Sequence, residues 1–167
     1  MEKIHFAAMS GDLTEIFHIL KTTKEPGKVL RRTIKGGLTP MHLIAKHGHA
    51  DGLKMFLEND GDPMVEDSKG RLPIHYASRY GHCDIINMLL DMTTKTTNLI
   101  ERKDGYFGQA PLHFAAAGGH DEVILLLLKR GAKVDSYSFA AETPADIAEF
   151  YEHKILAQRL RKLSKLD

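Results

Sequence analysis

The feature that most restricts this chain is a short segment at residues 110–120. It reads Ala-Pro-Leu-His-Phe-Ala-Ala-Ala-Gly-Gly-His and is followed by an unbroken apolar run over 123–128. Pro111 suits the first position of a helix, where its absent N–H costs nothing. Leu112, Ala115 and Ala116 follow at the i, i+3, i+4 spacing of one helix face. Gly118 and Gly119 stop that helix, because glycine accepts the left-handed backbone of a helix end. Asp121 and Glu122 open a second helix with negative charge at its positive end. Six apolar residues in a row exceed what an isolated helix pair can hide, so the pair needs a neighbour on each side.

Copies of the segment supply those neighbours. Residues 37–49 read Gly-Leu-Thr-Pro-Met-His-Leu-Ile-Ala-Lys-His-Gly-His, and residues 70–82 read Gly-Arg-Leu-Pro-Ile-His-Tyr-Ala-Ser-Arg-Tyr-Gly-His. Residues 142–148, Glu-Thr-Pro-Ala-Asp-Ile-Ala, form another copy. Residues 4–12, Ile-His-Phe-Ala-Ala-Met-Ser-Gly-Asp, form one truncated at its start. Pro40, Pro73, Pro111 and Pro144 are spaced by 33, 38 and 33 residues.

A period near 33 carrying Thr-Pro-Leu-His-x-Ala resembles the ankyrin-repeat family over nearly the whole chain. The resemblance implies an all-α solenoid of about five helix–turn–helix repeats with short β-hairpin loops. It implies one domain, 1–167, with repeats near 1–32, 33–66, 67–103, 104–136 and 137–167. The long first connection, regular second and expanded third are similar to those of the inhibitor-of-NF-κB branch. So is Asp62-Pro63 ahead of Asp67, Ser68, Lys69 and Gly70. With no acidic tail and no N-terminal Asp-Ser-Gly degradation signal, that likeness implies a reduced form that binds a Rel-type factor, as viral ankyrin inhibitors are thought to do. The five-unit size is also similar to that of the ankyrin inhibitors of cyclin-dependent kinases.

Composition narrows the compartment. At 167 residues and a formal net charge of +1, the chain is one domain long and has no bulk preference for nucleic acid or for a strongly acidic partner. The single cysteine, Cys83, cannot form an internal disulfide and fits a reducing compartment. No run reaches the length of about 18 apolar residues that a membrane span needs. The expectation is a cytoplasmic or nuclear protein with no membrane contact and no cofactor.

Two connections exceed the period. Residues 22–35 read as a polar, basic link with Pro26-Gly27 as its turn signal. Residues 92–104 run about five residues over the period, with threonines at 93, 94, 96 and 97. They read as a solvated loop, with phosphorylation or a protruding contact as the sharper alternative. Leu13, Ile16, Phe17 and Leu20 form the expected apolar face of the second helix. In the last helix Ile155, Leu156, Leu160 and Leu163 are expected inward, with Lys154, Arg159, Arg161 and Lys162 outward. A basic amphipathic helix also fits a membrane surface or a calmodulin-like partner, but a capping helix for the stack is the simpler reading.

The motif threonine and histidine are expected to hold each unit together, the threonine as an N-cap. Thr39 and His42 keep both residues. Leu72 and Ala110 take the threonine position in two units, so His75 and His113 are expected to lack the threonine partner, at about 0.5–2 kcal/mol for each missing cap. In the last unit Asp146 replaces the histidine beside Thr143. Ten histidines, His42, His47 and His49 among them, raise a metal question. No Cys-x-x-C pair or His-Glu-x-x-His motif accompanies them. Phosphate loops and nucleophile elbows are absent. His82 and Cys83 are adjacent on the chain and so point apart on a helix. A non-catalytic protein is expected.

In the family, hairpin tips and the ends of the first helices form a concave contact face. Carried over position by position, the tips contribute Lys35, Leu38, Lys69, Arg71, Tyr106, Phe107, Gln109, Phe139 and Glu142. The helices contribute Met9, Lys46, His47, Arg79, Tyr80, Phe150 and Tyr151. The front of this set is basic and the back aromatic, which implies a partner protein with an acidic and apolar segment. Single-stranded nucleic acid on Lys35, Lys46, Lys69, Arg71, Arg79 and Tyr80 is the alternative. Near-zero net charge and a family that binds proteins argue against it.

Overall fold

The computed structural model describes residues 2–92 and 98–165. The threonine loop at 93–97 therefore lies outside the described residues. Helices come in pairs: α1 (Lys3–Ser10) with α2 (Leu13–Thr22), α4 (Pro40–His47) with α5 (Ala50–Leu57), and α6 (Pro73–Tyr80) with α7 (Cys83–Met92). Then follow α8 (Pro111–Gly118) with α9 (Asp121–Lys129), and α10 (Pro144–Phe150) with α11 (Lys154–Leu163). The first helices α1, α4, α6, α8 and α10 pack side by side in one row, and α2, α5, α7 and α9 in a second row behind them. No helix among the described residues is long and apolar enough to cross a membrane.

Local sequence explains each pair. Proline occupies the first turn of α4, α6, α8 and α10. Left-handed glycines end four first helices at Gly11, Gly48, Gly81 and Gly119. A Cβ at any of these four would strike the ring of the next unit's His49, His82, His120 or His153, so the glycines also seat the neighbouring unit. One continuous core runs between the rows, with Ile16, Phe56, Ile86, Leu127 and Leu160 fully buried from the second helices.

Several sequence expectations change. The 22–35 link is not simply a polar turn. It contains a further short helix, α3 (Pro26–Leu30), with proline at its start and Val29 and Leu30 buried. On α2, Ile16 and Leu20 are buried, but Leu13 and Phe17 face solvent, Phe17 beneath the Lys21 ammonium. On α11, Leu156 and Leu160 are buried, while Ile155 and Leu163 are exposed. In the 123–128 run, Leu125 also faces out. Each helix buries one stripe only, and these residues sit beyond its edge.

The hairpins join in a ladder across units. Ser68 N donates to Gly36 O (3.0 Å), Gly105 N to Lys69 O (2.9 Å) and Phe139 N to Phe107 O (2.8 Å). Within each hairpin, one N–H closes the loop: Ile34 to Leu38, Asp67 to Arg71, Asp104 to Gln109, Ser138 to Glu142. The Asp104 hairpin is one residue longer than the others, so part of the 38-residue spacing lies here rather than in the 92–104 connection.

Candidate functional site

Two sets of histidines fix the units against one another. His42, His75 and His113 each accept a backbone N–H at Nδ1, from Thr39 (3.1 Å), Leu72 (2.9 Å) and Ala110 (3.2 Å). Each Nε2 must then carry the proton, and it donates forward to Arg71 O, Arg102 O or Glu142 O at 2.8–3.1 Å. His49, His82 and His120 reach back to Met9 O, Lys46 O and Arg79 O at 2.9–3.0 Å. As expected, His75 and His113 lack a threonine hydroxyl; the backbone N–H that also serves His42 holds each ring. Thr39 does not cap its helix; its hydroxyl meets His42 Nδ1 instead, at 2.9 Å. Thr143 does cap, accepting from Asp146 N, and Asp146 accepts from Thr143 N (2.9 Å) and Oγ1 (2.6 Å).

Burial holds His5, His42 and His113 below the ordinary imidazole range and pulls His75 down to about 4. Their ring nitrogens are occupied by the fold, save His5 Nδ1, which has no partner among the described residues. The Cys83 thiol is pushed up by burial and by Glu122 and Asp84, while the neighbouring His82 is held on Lys46 O.

The face shared by hairpin tips and first helices holds a groove of about 210 Å³ above the fourth unit. Its origin lies in register. Four and five residues beyond the motif histidine stand Arg79 and Tyr80 in the third unit, but Ala117 and Gly118 in the fourth. At the matching places of the fifth, counted from Asp146, stand Phe150 and Tyr151. Large side chains therefore flank a floor of small ones.

The groove brings together Lys69, Arg71, Arg79, Tyr80, Phe107, Gln109 and Tyr151 from the expected set. The cations and rings interleave across units rather than dividing into a basic front and an aromatic back. Lys69 Nζ lies 4.8 Å from the Tyr106 ring, Lys46 Nζ 5.4 Å from Tyr80, and the Arg79 guanidinium 4.8 Å from Tyr151. Arg79 also donates to Ala117 O. Tyr106 packs edge-on against Phe107 at 4.6 Å, and Phe150 against Tyr151 at 5.2 Å.

The remaining expected residues lie outside the groove. Lys35 and Leu38 belong to the preceding hairpin, Lys35 exposed and Leu38 half-buried. His47 is exposed and stacks on His49. Phe139 is exposed and covers Gly108, and Glu142 turns back onto Ser138 Oγ at 3.2 Å. Arg71 is spent internally on Asp67 (2.7 Å). Sequence reasoning missed Tyr76, Asp104, Phe114 and Ala117, which also line the groove. Tyr76 and Phe114 directly follow the motif histidine, and that shared register was the available signal.

Stacked helix pairs with unspent cations and rings collected along one face define a repeat scaffold built for contact rather than a pocketed fold. The profile for Ankyrin repeats (3 copies) matches residues 4–99, and that for a single Ankyrin repeat matches 107–138. The chain belongs to the ankyrin-repeat family. Ankyrin repeats generally serve as protein–protein interaction modules and are typically non-catalytic. The matches stop short of α10 and α11, yet α10 packs on α8 as the earlier first helices pack on one another, with α11 against α10. No curated protein matches the chain.

Proposed function

We infer that this chain is a non-catalytic binder that holds one protein partner on its concave face and acts as an inhibitor or adaptor in the cytoplasm or nucleus. The observation that carries this reading is the groove above the fourth unit, edged by side chains that the fold does not use. Tyr106 and Phe107 are 61% and 51% exposed at its rim. Rigid, half-exposed aromatics beside a cleft are the usual anchors of an interface. Lys46 and Lys69 lie over rings rather than beside carboxylates, which fits a partner segment both acidic and apolar.

The test is the double variant Y106A/F107A, titrated against partners captured by the wild-type chain. A purified Rel-type factor is the first to try, because the connection lengths are similar to those of that branch. Binding should weaken by at least about 2 kcal/mol, with helix content by circular dichroism unchanged. Unaltered affinity would remove Tyr106 and Phe107 from the site.

A further inference from the structure

We propose that Arg79 is the specificity anchor of the groove, and that it receives an acidic side chain from an extended partner segment carrying an aromatic or aliphatic neighbour. This rests on the concave-face reading above. Six of the chain's eight arginines pair with a carboxylate of the protein itself. Among the described residues, Arg31 and Arg79 do not. Arg31 is exposed on the link that follows α3, but Arg79 is half-buried and fixed.

Its fixation crosses three units. The side chain leaves α6, donates to Ala117 O of the fourth unit and lays its guanidinium on the Tyr151 ring of the fifth. A guanidinium held by a carbonyl and a ring keeps its charge and part of its donor fork unspent. The only carboxylate among the described residues lining the groove, Asp104, is turned onto the N–H groups of Phe107 and Gln109. Lys69, which also lines the groove, likewise has no carboxylate within ion-pair distance among the described residues, so Arg79 is not the groove's lone unpaired cation.

Shape narrows the occupant. At about 210 Å³ the groove falls below the roughly 300–1,000 Å³ of small-molecule sites and suits a side chain from a longer segment. Planar guanidinium binds carboxylate through two parallel hydrogen bonds, which lysine cannot reproduce. The rings of Tyr80 and Phe107 border the same space and supply contact for an apolar neighbour.

The experiment uses the full chain and three fluorescein-labelled probes: a peptide Gly-Glu-Phe-Glu-Leu-Glu-Gly, its glutamine counterpart, and a short oligothymidylate. Anisotropy is read at 50 and 200 mM salt. The glutamate peptide should bind at least about tenfold more tightly than the glutamine peptide. R79A and R79K should both bring it down to the glutamine level, with circular dichroism unchanged. Equal binding of the two peptides, a fully active R79K, no binding of either peptide, or preference for the oligothymidylate would each overturn the proposal. If the peptides bind equally yet both weaken on Y106A/F107A, the face reading stands and the Arg79 role falls. If peptide binding ignores all three variants, both readings fall.

Discussion

The hairpins of the third and fourth repeats enclose the same buried acid by different means. Asp67 accepts from the backbone N–H groups of Lys69 (2.8 Å) and Arg71 (3.0 Å), from Arg71 Nε (2.8 Å) and from the Tyr76 hydroxyl (2.6 Å). Among the described residues Asp104 accepts from backbone alone, Gln109 N at 2.7 Å and Phe107 N at 3.3 Å. Where the third repeat has Arg71 and Tyr76, the fourth has Gln109 and Phe114, in a hairpin one residue longer. The third hairpin spends Arg71 on its own acid. The fourth leaves Tyr106, Phe107 and Gln109 available at the edge of the groove. The two hairpins thus differ in how they hold the acid, while Lys69 and Arg79 of the third repeat still line the groove.

The largest expected effect tests that contrast directly. Asp67→Ala strips the acceptor from a buried phenol and a partly buried guanidinium, and breaking such a pair costs about 3–5 kcal/mol. Arg71 retains some access to water, which favours the lower end. Asp104→Ala leaves only backbone donors unmet, at about 1–3 kcal/mol. Urea unfolding of the two variants measures the difference. Equal losses would mean that Arg71 and Tyr76 contribute nothing beyond the turn itself, and the contrast would fail.

The histidines sharpen it at lower pH. As pH falls through 6.5 an unfolded histidine takes up a proton, whereas folded His75 stays neutral until about 4. The unfolded chain therefore binds more protons in that window, and stability drops as pH falls from 6.5 towards 4, then levels off with respect to this group. A displacement of this size is worth on the order of 3 kcal/mol. His113 is lowered in the same direction. Asp67 is held below its ordinary 3.8, so its own contribution is lost only at still lower pH. Stability measured from pH 7 to 4 should flatten more in His75→Gln than in His113→Gln. The same slope in both variants would contradict the larger displacement of the third repeat's histidine.

Much of this was legible in the chain. Prolines at 40, 73, 111 and 144, with glycine closing the helix behind three of them, fix the pairs, because each residue acts on its own local backbone. The tips that carry Lys69, Tyr106 and Phe107 follow from the same register. What stayed hidden depends on contacts between units. Arg79 lies 72 residues from Tyr151 on the chain, and no spacing within one repeat shows that they stack. The groove itself arises from an absence, Ala117 and Gly118 where the neighbours carry bulk, and small residues read from sequence as ordinary core. Residues 26–30 misled because Pro-Gly is a turn signal, while the buried Val29 and Leu30 that follow make the segment helical.

The smallest effect bears on the motif's threonine. If threonine were the cap on which each unit depends, Ala110→Thr would restore about 0.5–2 kcal/mol to the fourth repeat. The hydrogen bonds argue otherwise. His113 Nδ1 already receives the Ala110 N–H, and its Nε2 already reaches Glu142 O. In the second repeat the threonine hydroxyl only adds a further donor to the same single lone pair of His42. A shared acceptor gains little from a second donor, and Ala110 is fully buried, so the added atoms must also find room. Ala110→Thr should therefore leave the free energy of urea unfolding within about 0.5 kcal/mol of the parent, the low end of one hydrogen bond's net worth. Leu72→Thr cannot serve as the test, because it removes a fully buried apolar side chain at the same time. A stabilisation near the upper end of the cap range in Ala110→Thr would show that backbone and hydroxyl donors to the histidine are not interchangeable, and that the third and fourth repeats are both strained where they depart from the motif.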